Sequence, residues 1–89
     1  MAEPSIVKLE GALTLETVAA CLERPLPAGD LIFDLGGVTR VDSSALALLL
    51  AWLRRLKARE STAELRALPE SLRSLARLYG VDTLLPLTS

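Results

Sequence analysis

The segment 38–50 restricts the folds open to this chain more than any other. Two β-favouring residues, Val38 and Val41, lead into Asp-Ser-Ser at positions 42–44, and a run of alanines and leucines follows. Asp and Ser side chains accept free backbone N–H groups in the first turn of a helix, and Ala and Leu are strong helix formers. The segment therefore predicts a strand that passes through a capped turn into an apolar helix. The positive end of such a helix stabilises a phosphate or an acidic group of a partner.

Strands and helices alternate along the rest of the chain. Apolar runs predict strands, and apolar residues at i, i+3, i+4 and i+7 predict amphipathic helices. The predicted strands are 5–9, 31–35 and 61–68, the predicted helices begin at Thr14, Ser44 and Pro69, and Gly80 ends the last one. Glu10-Gly11 and Gly36-Gly37 are predicted turns, and 81–85 is either a short strand or a last half-turn. The order predicts one α/β domain over residues 1–89, with a sheet layered against helices.

Composition argues against several classes of function. The net charge of −1 and three aromatic residues do not favour a nucleic-acid-binding surface. The chain is 51% hydrophobic, yet its longest apolar run, Ala45 to Leu53, is far shorter than the roughly 18 residues of a transmembrane helix. We therefore expect no direct membrane insertion. A single cysteine agrees with a reducing cytoplasm, and the apolar excess suggests a surface that a partner covers.

The sequence offers little support for catalysis. It contains no histidine, the commonest general base and a leading metal ligand. Its aspartates are scattered, and no phosphate-binding Gly-x-x-x-x-Gly-Lys-Ser/Thr loop is present. We expect a protein that is not an enzyme, with no catalytic residues, no metal site and no cofactor.

The apolar helix after position 44 carries more leucines than one face requires. At about 100° per residue, Leu46, Leu49, Leu50 and Leu53 form one stripe, which is predicted to face the core. Leu48 and Trp52 lie outside that stripe, and Arg55 follows one turn later. Aromatic and arginine side chains are enriched at interface hot spots, so these three residues are predicted to contact a partner. The spacing is equally consistent with Trp52 packing against another element of its own domain.

The segment 40–50, Arg-Val-Asp-Ser-Ser-Ala-Leu-Ala-Leu-Leu-Leu, together with the strand 31–35 before it, resembles the signature of STAS domains. The segment 75–81, Leu-Ala-Arg-Leu-Tyr-Gly-Val, followed by Leu-Leu-Pro at 84–86, resembles the MlaB group within that family. The resemblance implies a single STAS domain with a small mixed β-sheet and helices packed against it. It also implies that the Asp-Ser-Ser loop and the following helix meet the partner.

The resemblance leaves two roles open for the hydroxyl groups. In anti-sigma factor antagonists of this family a kinase phosphorylates the serine that matches Ser44. In MlaB-like chains the hydroxyl of interest, usually a threonine, matches Ser43, and a glycine commonly follows the pair where this chain has Ala45. Phosphorylation at either serine would add a charge of about −1.5 to −2 at the helix N-terminus, which the dipole favours and Asp42 opposes. Without modification, Asp42, Ser43 and Ser44 would cap the helix and contact the partner.

The resemblance to MlaB implies a subunit of the ABC system that moves phospholipids between the membranes and maintains the lipid asymmetry of the outer membrane. The partner would be the ATPase subunit and, through it, the permease, so the chain would be cytoplasmic and peripheral to the inner membrane. A homodimer through the apolar helix face is a further alternative. The second hypothesis is an anti-sigma factor antagonist switched by phosphorylation, whereas a nucleotide-binding STAS domain has no dedicated residues in this chain.

Overall fold

The computed structural model describes residues 3–86, which form three strands, three α-helices and a short 3₁₀ helix. The strands are β1 (Ser5–Leu13), β2 (Leu31–Val41) and β3 (Ala63–Arg66). The α-helices are α1 (Val18–Glu23), α2 (Ser43–Ala58) and α3 (Glu70–Leu78), and the 3₁₀ helix is Asp82–Leu84. No helix in the described part of the chain has the length and apolar character needed to cross a membrane.

The three strands form a sheet in the order β1-β2-β3, and both neighbouring pairs are parallel. This confirms the α/β class, but over residues 3–86 the sheet is parallel rather than mixed. Parallel neighbours need a crossover connection, usually a helix, and α1 and α2 supply these crossovers. The core lies on the helix-covered face of the sheet, where alternate residues of β1 and β2 are buried.

Both predicted glycine turns are wrong, because these residues lie inside strands. Gly11 belongs to β1, while Gly36 and Gly37 belong to β2. The register between the two strands shifts at these places, so that β2 contains extra residues relative to β1. A Cβ atom on Gly37 would lie 2.8 Å from Glu10 Cγ and 3.2 Å from the carbonyl oxygen of Leu9. Glycine here permits the close approach of two strands at a bulge.

The last quarter of the chain closes the domain beside β3. Gly80 has a φ of +71° and ends α3, as predicted. The undecided segment 81–85 contains one turn of 3₁₀ helix, after which Leu85 is buried in the core. The N–H group of Leu65 in β3 donates to the carbonyl oxygen of Pro86 at 2.9 Å. The C-terminal segment therefore covers part of the outer edge of β3.

Candidate functional site

The junction between β2 and α2 is organised by the carboxylate of Asp42. Its Oδ1 accepts the N–H of Ser44 at 2.8 Å, which caps α2, and its Oδ2 accepts the N–H of Leu15 at 3.1 Å. The predicted cap is thus confirmed, and the same side chain also fixes the loop that follows β1. The hydrogen bond from Leu15 is the main cause that lowers the pKa of Asp42. The bonds from Ser44 act in the same direction, against partial burial.

The two serines differ in how far they are exposed. Ser43 is exposed at the first position of α2, whereas Ser44 is half-buried and donates its backbone N–H to Asp42. A kinase therefore reaches Ser43 more easily than Ser44. A phosphate on Ser44 would lie against the Asp42 carboxylate, whose negative charge would repel it.

The assignment of Leu48 and Trp52 to the partner surface is wrong. Leu48 is 1% exposed and Trp52 is fully buried. The indole of Trp52 stacks on the ring of Phe33 in β2, with the ring centroids 5.0 Å apart and the planes 5° from parallel. These side chains hold α2 against the sheet, and a partner cannot contact them while the domain is folded.

Arg55 is exposed, but it lies on the side of α2 that faces α1. Its Nη1 donates to the carbonyl oxygen of Leu22 at 3.2 Å, beside the C-terminal end of α1. A cation near the last carbonyl groups of a helix is favourable. The structure thus gives Arg55 an intramolecular role, and its predicted contact with a partner stays a prediction.

The free apolar surface of α2 lies on the side opposite α1. Here α2, the end of α3 and the 3₁₀ helix enclose two adjoining shallow depressions, which together we call the apolar groove. One half is lined by Ser43, Leu46, Ala47, Leu50, Tyr79 and Val81, and the other half by Leu50, Leu53, Arg54, Lys57 and Leu84. Tyr79 and Leu84 are 57% and 63% exposed. The groove thus joins an apolar floor to an exposed serine at one end and to two cationic side chains at the other.

Of the predicted site residues, the structure brings Ser43 into this groove, with Asp42 and Ser44 directly beside it. The groove residues Ala47, Tyr79 and Leu84 were missed. Tyr79 projects from the end of α3. The signal that could have found this face is the apolar row of α2 at positions 46, 50 and 53, which we assigned to the core. Leu46 is buried as assigned, whereas Leu50 and Leu53 are only partly buried.

The chain matches the family described as "Mlab, STAS domain" over residues 2–86, which is nearly its whole length. No curated protein matches the chain. The family match agrees with the two segments that resemble STAS and MlaB sequences, and the structure places both at the groove: 40–50 leads into and builds the first half of α2, and 75–81 ends α3. The chain therefore belongs to the STAS-domain family of the MlaB type.

Proposed function

We propose that this chain is a non-catalytic, cytoplasmic subunit that binds the ATPase of an ABC-type phospholipid transport system. Through the ATPase it joins the permease at the inner membrane and helps to maintain outer-membrane lipid asymmetry. Membership of the MlaB type supports the choice of partner. The observation that carries the proposal is the apolar groove beside Ser43, which gives a subunit of this family a surface for docking.

The groove has the composition of a protein-binding surface. Tyr79 and Leu84 expose more than half of their side chains next to the partly buried Leu50 and Leu53. Cationic side chains lie at the rim, which is the usual arrangement of an interface with an apolar centre. A partner that covers this surface would remove the exposed apolar area from water.

Binding at this face regulates the partner by mass action. A subunit that prefers one conformation of the ATPase stabilises that conformation by its differential binding free energy and shifts the hydrolysis cycle toward it. The hydroxyl of Ser43 lies at the end of the groove. Phosphorylation there would place about two negative charges at the contact and weaken the binding of an apolar or acidic partner.

The decisive test changes one exposed alanine of the groove. Ala47 is exposed on α2, so Ala47→Glu keeps a good helix former and places a carboxylate in the middle of the groove. Burying that unpaired charge against a partner is unfavourable, and we expect the recovered ATPase to fall by about tenfold or more. The measurement is quantitative mass spectrometry of proteins that co-purify with the tagged chain from its native cell.

The matched control is Ala20→Glu, the same change at an exposed position of α1. We expect this variant to recover as much ATPase and permease as the wild type, with both variants folded by circular dichroism. Equal recovery by Ala47→Glu and the wild type would reject the groove as the docking surface. Recovery of a serine kinase or an anti-sigma factor in place of the ATPase would favour a phosphorylation-switched antagonist.

A further inference from the structure

The outer edge of β1 lacks a strand partner within residues 3–86. β1 is nine residues long and lies at the end of the sheet, next to β2 alone. A long edge strand presents a row of unpaired N–H and C=O groups, which another strand can use. The apolar groove lies between α2 and the segment that follows β3, toward the other edge of the sheet. The β1 edge is therefore a second surface, separate from the groove.

The hydrogen bonds of β1 show which of its residues face outward. The N–H of Ser5 donates to the carbonyl oxygen of Asp30, and the carbonyl oxygen of Leu13 accepts the N–H of Asp42, so both groups point toward β2. Backbone groups alternate in direction along a strand, and the extra residues at the register shifts belong to β2. The even-numbered residues Ile6, Lys8, Glu10 and Ala12 therefore point outward. Within residues 3–86 their backbone groups are free for pairing except the carbonyl oxygen of Ala12, which accepts the hydroxyl of Thr17 at 2.9 Å.

These four residues are self-complementary. We propose that two copies of the chain pair through β1 in antiparallel orientation, with Leu9 facing the partner's Leu9. In this register Lys8 faces the partner's Glu10, and Ile6 faces the partner's Ala12. Each Lys8–Glu10 pair exchanges two backbone hydrogen bonds, and in each Ile6–Ala12 pair the N–H of Ala12 donates to the carbonyl oxygen of Ile6. The symmetric contact therefore makes about six. Ile6, which is 54% exposed in one copy, is then covered.

Charge selects this register from its neighbours. In the proposed pairing the two-fold axis of the dimer passes between the two copies of Leu9. If the axis moved to Lys8, two lysines would lie directly opposite each other, and if it moved to Glu10, two glutamates would. Like charges opposite each other on a sheet are unfavourable, while opposite charges are favourable. Near the middle of β1, the register centred on Leu9 thus pairs the outward backbone groups and also places opposite charges across from each other.

The exposed face of the sheet supports the same pairing. Lys8 is aligned with Asp34 of β2, and Asp34 with Arg66 of β3, so charge alternates across the row. Glu10 is aligned with Gly37, which has no side chain to pair with it. Among the ion pairs of residues 3–86, neither Lys8 nor Glu10 takes part. The partner's Glu10 would extend the alternating row beyond Lys8.

A charge-swap series tests this interface by sedimentation velocity over about two orders of magnitude in protein concentration. We expect the wild type to dimerise as concentration rises. Lys8→Glu and Glu10→Lys each create two like-charge pairs and should raise the dimer dissociation constant by about tenfold or more. The double variant Lys8→Glu/Glu10→Lys restores opposite charges in reversed order and should dimerise like the wild type. Both side chains are exposed, so circular dichroism should show unchanged folding.

Three results would overturn the proposal: a wild type that stays monomeric at every concentration, single variants that dimerise as strongly as the wild type, or a double variant that stays monomeric. The ATPase recovery described above provides an independent readout. Neither Lys8 nor Glu10 lines the groove, so the charge-swap variants should still recover the ATPase. Loss of dimerisation and loss of ATPase binding are thus distinguishable.

Discussion

At the scale of single residues, Asp42 joins two loops through one ionised carboxylate. Both oxygens accept backbone N–H groups, and the pKa is lowered by the bond from Leu15 first and by those from Ser44 next. A carboxyl whose pKa is lower in the folded state stabilises the fold above its unfolded pKa. That contribution is lost as the pH falls through the lowered folded value.

Asp42→Asn keeps one carbonyl oxygen but loses the second acceptor and the charge. We expect a smaller free energy of unfolding than the wild type at neutral pH. The difference should shrink as the pH falls below the ordinary value of 3.8. Urea unfolding followed by the fluorescence of the single tryptophan measures both proteins at each pH. All other carboxyls are common to the two proteins, and a difference that stays constant with pH would contradict the role of the charge.

Trp52 provides the second prediction at this scale. Trp52→Ala removes a fully buried ring from its stack on Phe33, and such changes cost about 3–5 kcal/mol. That is a large part of the roughly 5–15 kcal/mol by which domains are stable. Partner binding lost in this variant would therefore reflect unfolding rather than a missing contact. Urea unfolding followed by circular dichroism measures the loss.

Trp52→Phe is the matched control for that change. It keeps an aromatic ring against Phe33 and removes the indole N–H, which is buried and has no hydrogen-bond partner among residues 3–86. We expect it to cost clearly less than Trp52→Ala. Equal stability of Trp52→Ala and the wild type would mean that the indole does not hold α2 to the sheet.

At the scale of the elements, the end of the 3₁₀ helix places two adjacent leucines in different surroundings. Leu84 is 63% exposed in the groove, and Leu85 is 7% exposed in the core. Leu85→Ala should lower the free energy of unfolding by about 2–4 kcal/mol. Leu84→Ala should change it by less than about 0.5 kcal/mol, yet it should weaken ATPase recovery. Urea unfolding and co-purification of both variants check the pair, and the opposite order of stabilities would contradict it.

The same scale shows where sequence reasoning succeeded with α2 and where it failed. The cap at Asp42 and the start of the helix were predictable, because the Asp-Ser-Ser run and the helix formers after it act locally. Which side of the helix faces the core was not predictable. Between Ala45 and Leu53 all residues are apolar, so hydrophobicity does not distinguish the two sides of the helix. The stack of Trp52 on Phe33 of β2 and the packing of α2 against α3, both of which depend on tertiary placement, decide which side is inside.

At the scale of the whole molecule, the alternation of strands and helices predicted the α/β class and the order of the main elements. The resemblance to STAS domains and MlaB is confirmed by the family match. The paired glycines were mistaken for turns, because a bulge and a turn both select glycine and differ only in what lies across the strand. The groove was hidden for a related reason, since it joins residues of α2 to Tyr79 and Leu84, about thirty positions later.

The parallel sheet also has a consequence for how the chain acquires its structure. Neighbouring strands are separated in the sequence by a complete helix. Ser5 is aligned with Leu31, and Leu31 with Ala63. Such distant pairings slow folding, because loop closure precedes any gain from contact. During synthesis α2 leaves the ribosome before β3 and before Leu85, which completes the core. We therefore expect the nascent chain to expose the apolar sides of α2 until the segment that carries Leu85 has been translated.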